Sequence, residues 1–196
     1  MLQTSDAMPD LQAEKVQGFF LVEDINLVKK EKGEPGYLAL KNLTPSLNLD
    51  QVSPIKKYSI QQEIELLRGV AIVVYGDDSP ESWKKLGAHE VETVKNSPLG
   101  KILLALFTND YREIVKNGFR VLNAFSPFIG YSYTMLGDKS FEITTTHNPY
   151  PKEYYLGSLM AFRDMYERNA HCSVREIGPG TYIYSFNLQE ATHDSV

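Results

Sequence analysis

Between residues 128 and 186 the hydrophobic period runs two, then three to four, then two again, which confines the last third of the chain to two strand pairs flanking one helix. In Phe128–Leu136, Tyr131, Tyr133 and Met135 fall on one side of a strand, with Ser132 and Thr134 on the other. Leu136-Gly-Asp-Lys-Ser140 supplies a turn, after which Phe141, Ile143 and Thr145 alternate with Glu142, Thr144 and Thr146, so the two runs predict an antiparallel hairpin. Asn148-Pro-Tyr-Pro151 ends it, because proline removes a ladder donor and restricts the preceding residue. From Pro151 to Asn169, Tyr155, Leu159, Phe162 and Tyr166 recur at helical spacing, and Gly157 permits a close approach. Ser173–Ile177 and Thr181–Phe186 then pair around Gly178-Pro-Gly180, with Tyr182, Tyr184 and Phe186 on one face.

The chain ahead of this tail reads as helices. Val16–Lys30 carries Phe19, Phe20, Ile25, Leu27 and Val28 on a core-facing pattern, and Gly33-Glu-Pro-Gly36 is expected to stop it. Tyr37–Leu49 reads as a short helix followed by a loop, since Pro45 interrupts the pattern. Ser59–Val74 places Ile60, Ile64, Leu67 and Ala71 on one stripe, which Ile72 and Val74 widen. Ser79-Pro80 combines a side-chain oxygen for an orphan amide with a proline at the first helical position, where no amide partner is needed. Trp83, Leu86, Val91 and Val94 form the predicted buried side of that helix. The same device at Ser97-Pro98 opens a helix with Leu99, Ile102, Leu103, Leu106 and Phe107, and Asn109 can cap another with Ile114, Val115, Phe119 and Leu122.

Composition narrows the classes of function. The net charge is −5 over 196 residues, and the Lys29–Lys32 cluster is already interrupted by Glu31, so no concentrated basic face exists for nucleic acid. One cysteine, Cys172, excludes an intrachain disulfide and any local two-cysteine metal motif. No run approaches a membrane span, and the start has no basic region followed by a signal-like apolar segment. The expectation is a cytoplasmic chain without a transmembrane segment.

Chemistry-bearing motifs are sparse. No Gly-x-Ser-x-Gly or His-Glu-x-x-His arrangement is present, and Gly178-Pro-Gly180 lacks both the amide donors and the Lys-Ser or Lys-Thr of a phosphate loop. His147, at a strand end, reads either as a ligand-recognition or acid–base group or as a strand-end side chain bonded to backbone or solvent. Arg163 either carries its guanidinium to a carboxylate ligand or pairs with Asp164 and Glu167 at the helix surface. Arg112, Arg120 and Arg168 are further helical cations. Asp77 and Asp78, just before Ser79, favour a helix start electrostatically. Eight of twelve tyrosines lie after position 130. They can form a sheet–helix core, line a pocket or make a pairing surface.

The motifs Ser79-Pro-Glu-Ser-Trp-Lys-Lys-Leu-Gly87 and Ser97-Pro-Leu-Gly-Lys-Ile-Leu-Leu-Ala-Leu106, the hairpin Tyr131–Thr146, Pro151-Lys-Glu-Tyr-Tyr-Leu-Gly157 and Val174-Arg-Glu-Ile-Gly178 follow one order. In that order the chain, over roughly Val16–Asn187, resembles an uncharacterised domain family abundant in myxobacteria. That family is related to the vinyl-4-reductase, haem-nitric-oxide-sensor and transport-particle superfamily. The resemblance implies a compact α+β domain, often able to pair, whose helix–sheet cleft holds a small hydrophobic or amphipathic molecule in some relatives. Haem-binding relatives use an axial histidine and a tyrosine-serine-arginine motif. Here Tyr131-Ser-Tyr133 is not followed by the matching arginine, and His89 lies on a short polar-flanked segment. Relatives that hold zinc through several cysteines are matched only by Cys172.

The expected fold is α+β, an N-terminal helical assembly packed on a four-stranded antiparallel sheet, with C-terminal β-β-α-β-β order. Residues 1–15 are expected to be a flexible N-terminal segment, 16–188 a single sensor-like domain, and 189–196 a flexible tail. The expected function is a non-enzymatic regulatory or signalling domain that binds a small hydrophobic or amphipathic ligand in the helix–sheet cleft. A ligand-free dimerisation or adaptor domain is the alternative. Tyr131, Tyr133, His147, Tyr155, Leu159, Phe162, Arg163 and Tyr184 are the ligand-binding candidates. No catalytic residue, metal ligand or cofactor is expected. The expected partners are the small molecule, a second copy or a signalling protein, and not nucleic acid.

Overall fold

In the computed structural model the described residues are 10–96, 101, 126–137, 140–165 and 170–188. The predicted helices starting at Ser97 and Asn109, with Arg112 and Arg120, lie outside them, as do Tyr166 and Arg168. The first element is a strand where a helix is expected: β1 (Lys15–Gln17) pairs antiparallel with β2 (Lys57–Ser59), setting Val16 opposite Tyr58. Helix α1 (Gly18–Leu43) starts two residues later than the apolar pattern suggests. The reason is tertiary. The Ser53–Lys56 loop folds onto Gly18 so closely that a Cβ there would lie 2.1 Å from the Ser53 carbonyl oxygen, while the Gly18 amide donates to Lys56 O at 2.8 Å.

Gly33 breaks α1 at φ 62° and ψ −157°, a conformation that costs glycine least. The helix resumes instead of ending, because Pro35 falls in the first turn of the new segment, where its missing amide is harmless. Tyr37 braces this second half. Its hydroxyl donates to Asp50 at 2.6 Å, and the Lys29 ammonium sits 4.2 Å from its ring centre.

Helix α2 (Ile60–Val70) begins with a complete capping box: the Gln62 amide donates to Ser59 Oγ and the Ser59 amide to Gln62 Oε1. It runs into a wider π turn, Ala71–Tyr75, and stops at Gly76 with φ 101°. Helix α3 (Pro80–Asn96) starts as Ser79-Pro80 predicts, with the Ser82 amide donating to Ser79 Oγ at 3.3 Å. Asp77 accepts from the Ser79 amide and the Ser82 hydroxyl, and Asp78 from the Trp83 indole and Arg68. Both carboxylates therefore serve the helix start.

The C-terminal third is β3 (Gly130–Met135), β4 (Ser140–Thr146), α4 (Lys152–Asp164), β5 (Ala170–Gly178) and β6 (Thr181–Leu188). The strands form one antiparallel sheet in the order β3-β4-β6-β5. The register aligns Tyr133, Ile143, Tyr184 and Val174 in one row, and Met135, Phe141, Phe186 and Cys172 in the next. Phe141, Ile143, Tyr184 and Phe186 are buried on that face, where the Phe141 and Phe186 rings stack at 4.7 Å. The other face is polar, with Glu142 held by Arg175 at 3.0 Å and by Ser185 at 2.9 Å.

Helix α4 is locked against α3 by two glycines. A Cβ on Gly87 would meet Tyr154 O at 1.8 Å, and one on Gly157 would meet Lys84 O at 1.9 Å. Ser158 Oγ donates across this contact to Gly87 O at 2.9 Å. The α+β architecture is thus the expected one, with α4 clamped to the helical half. Among the described residues no helix is long and apolar enough to cross a membrane.

Candidate functional site

Three helices each place one acid on their apolar stripe. Asp24 follows Leu21 and precedes Ile25 and Val28 on α1; Glu63 lies between Ile60 and Leu67 on α2; Glu90 lies one turn beyond Leu86 on α3. All three are buried, with exposures of 1%, 6% and 9%. Hydrocarbon at such positions stabilises a core, whereas an unpaired charge there costs several kcal/mol or takes up a proton. Among the described residues no lysine or arginine forms an ion pair with any of the three.

Burial favours the protonated form of each acid. Burial pushes Glu63 up to about 7, partly offset by the Tyr150 hydroxyl that donates to its Oε2. Burial, then the charges of Glu90 and Glu63, hold Asp24 well above the carboxylate range, and burial followed by Glu63 raises Glu90. Among the described residues no N–H donor reaches either oxygen of Asp24. The group near enough to satisfy it is the Glu90 carboxyl, through a hydrogen bond that requires a proton between them.

An aromatic layer from the β4–α4 loop and the first turn of α4 covers this cluster. The Tyr150 and Tyr154 rings stack at 5.4 Å, Tyr155 lies 5.9 Å from Tyr150, and Trp83 meets Tyr154 edge-on at 6.2 Å. The loop is shaped by His147, which adopts φ 57°, and by Asn148. Asn148 is fully buried. Its amide donates to Gly180 O at 2.9 Å and its Oδ1 accepts from the Tyr150 amide at 3.0 Å. Burial and the nearby carboxyls raise the hydroxyl pKa values of Tyr150 and Tyr154, so both remain neutral donors at physiological pH.

The candidate residues read from sequence divide around this layer. Tyr155 and Tyr131 join hydroxyls at 2.8 Å where α4 crosses the sheet, and Tyr184 is buried beside them with its hydroxyl donating to Lys152 O at 3.3 Å. Burial pushes the Tyr155 hydroxyl up to about 12 and raises those of Tyr131 and Tyr184. Tyr133 packs its ring 5.3 Å from Phe141 nearer the hairpin end. Leu159 packs on the core, and Phe162 is half-buried further along α4. Arg163 is committed to β5: it donates to Ala170 O at 2.6 Å, pairs with Asp164, and lies 3.7 Å from Cys172 Sγ. His147 acts on the loop through its backbone. The fold therefore brings Tyr131, Tyr155 and Tyr184 together and ties Arg163 elsewhere.

Sequence reasoning missed Asp24, Glu63, Glu90 and Tyr150 as a group. The signal was present as one acid at a stripe position in each of three amphipathic helices, but each acid alone is indistinguishable from a stripe-edge residue.

The architecture is that of the H-NOX domains. A crystal structure of an Fe(II) unliganded H-NOX protein from K. algicida superposes with a TM-score of 0.68 at 13% identity, covering 91% of this chain and 100% of that one. A mutant structure of T. tengcongensis H-NOX gives 0.66 at 11%, with coverages of 90% and 99%. An oxygen-binding H-NOX domain related to soluble guanylate cyclases gives 0.67 at 10%, with coverages of 92% and 98%. No curated protein matches the chain in sequence. The chain belongs to the family described as Protein of unknown function (DUF2378), whose model matches residues 14–187.

A structure probing heme distortion in the H-NOX family gives a TM-score of 0.70 at 10% identity, with coverages of 92% and 98%, but the described residues here do not fit a heme. The chain has four histidines and none between positions 90 and 146. His89 is half-buried on α3 with Nε2 3.4 Å from Thr93 Oγ1, His171 is exposed, and His147 shapes a turn. None of these three belongs to the buried core. A porphyrin's anionic propionates need cationic partners, and among the described residues the Asp, Glu, His, Lys and Arg side chains buried with the core are the acids Asp24, Glu63 and Glu90.

Proposed function

We propose that this chain is a non-enzymatic regulatory or signalling domain that binds a small amphipathic molecule where α4 meets the sheet and the helices. The observation that carries the reading is the set of polar groups buried in an otherwise apolar interface: the Tyr131–Tyr155 hydroxyl pair, continuous through Tyr150 with Asp24, Glu63 and Glu90. Folding alone is better served by hydrocarbon at each of these positions. Rigid aromatic faces with a few convergent polar atoms are what a site for an amphipathic molecule requires. The likeness to H-NOX domains, one of them oxygen-binding, supports a sensory use of the same architecture. It supports no particular ligand. Tyr131, Tyr155 and Tyr184 are the proposed ligand-facing residues.

Native mass spectrometry of the gently purified full chain tests the reading. A retained small mass, lost in a Tyr131→Phe/Tyr155→Phe double variant, is the expected result. A ligand-free dimer would instead favour the adaptor alternative, and a ligand-free monomer at cellular concentration would remove the sensory one.

A further inference from the structure

We infer that Glu63 and Glu90, with the faces of Tyr150 and Tyr154 and the buried carboxyl of Asp24, form a recognition site for an organic ammonium group on the amphipathic ligand proposed above. This inference rests on that reading and adds the chemical class of the ligand's head.

The helices bring three acceptor groups together, and among the described residues none of the three forms an ion pair with a lysine or arginine. Tyr150 serves Glu63, and Asp24 is 1% exposed with no N–H donor on either oxygen among the described residues. The missing complement is a positively charged group with several N–H donors. A bare metal ion is a poor candidate, since among the described residues no three His, Cys, Asp or Glu side chains are disposed to hold one. Carboxyls that do not form a coordination sphere suit a larger cation. The rings beside them suit it too: the stacked Tyr150–Tyr154 pair and Trp83 edge-on to Tyr154 present π faces next to the carboxyls, and such faces attract ammonium groups.

Without a cation, burial favours the protonated form of each of the three acids. Ammonium binding therefore exchanges protons for the ligand's charge. Among the described residues the other titratable groups felt here are Glu23 on α1 and the hydroxyls of Tyr75, Tyr154 and Tyr155, none of which supplies positive charge. The acidity of the cluster thus belongs to the whole interface and not to one helix.

The probe is n-hexylammonium, with 1-hexanol as its neutral counterpart, titrated calorimetrically into the full chain at pH 8 in two buffers of different ionisation enthalpy. The expected result is tighter binding of the ammonium by about tenfold or more, the size of one charge-assisted hydrogen bond, together with proton release to the buffer. Asp24→Asn and, independently, Glu90→Gln should each reduce that preference severalfold and diminish the proton release. Equal affinity for both probes would overturn the ammonium inference and leave the amphipathic-ligand reading standing. Binding of neither would also overturn it, and native mass spectrometry then decides the broader reading separately.

Discussion

The hydroxyl of Tyr150 donates to the Glu63 carboxyl across 87 residues of sequence, joining the loop after β4 to the core face of α2. The bond holds Glu63 lower than burial alone would. Tyr150→Phe should raise the pKa of Glu63 further. At pH 8 the variant should lose about 2 kcal/mol, the scale of a hydrogen bond to a charged group, and at pH 5 about 1 kcal/mol or less. Urea unfolding at the two pH values measures the difference; an equal loss at both would show that the hydroxyl does not serve the ionised acid.

The cluster makes stability fall as pH rises. Glu63 is raised from 4.5 to about 7 in the folded chain, so between those values the folded state holds a proton that the unfolded state has released. Its favourable contribution is full below about 4.5 and is lost as pH rises through about 7. At ~1.4 kcal/mol per unit, Glu63 alone accounts for roughly 3 kcal/mol. Melting temperature should decline from pH 5 to pH 8.5, and Asp24→Asn or Glu90→Gln should flatten the decline. A profile that rises over this range would contradict the buried acids.

Gly87 and Gly157 test the α3–α4 clamp. Alanine in a helix interior is intrinsically favoured over glycine by about 1 kcal/mol, but here each new Cβ meets a carbonyl oxygen closer than 2 Å. Backbone cannot yield as a flexible side chain does, so Gly87→Ala and Gly157→Ala should each destabilise by about 2–4 kcal/mol. The double variant should cost less than the sum, since parting the helices once relieves both contacts. Chemical denaturation of the three variants is the measurement.

The Tyr131–Tyr155 hydroxyl pair should show coupling in a double-mutant cycle. Each phenylalanine replacement removes this hydrogen bond while Ser126 still reaches the remaining hydroxyl, so each single change should cost about 1 kcal/mol. Removing both should cost clearly less than the sum. Strict additivity would mean that the two hydroxyls do not act together.

The strand pairs and α4 were legible because one buried face imposes a strict period, and Tyr131, Tyr133, Phe141, Ile143, Tyr184 and Phe186 keep it. The starts of α2 and α3 were legible for a local reason: Ser59 and Ser79 satisfy amides within three residues of themselves. Val16 was misread because its neighbours fit a helix, and only the distant partner Tyr58 makes it a strand. Gly33 was read as a stop, yet helix resumes beyond it because Pro35 suits a first turn.

By itself, then, the sequence determined the α+β class, the strand faces, the capped helix starts and the concentration of tyrosines near α4, all of which follow from periodicity and local hydrogen bonding. Only the tertiary structure decided that Asp24, Glu63 and Glu90 share one interior, that Tyr150 reaches Glu63, and that Gly87 and Gly157 face each other's helices. Those relationships join residues tens of positions apart. Their chemistry arises from desolvation, which depends on what surrounds a group and not on what precedes it in the chain.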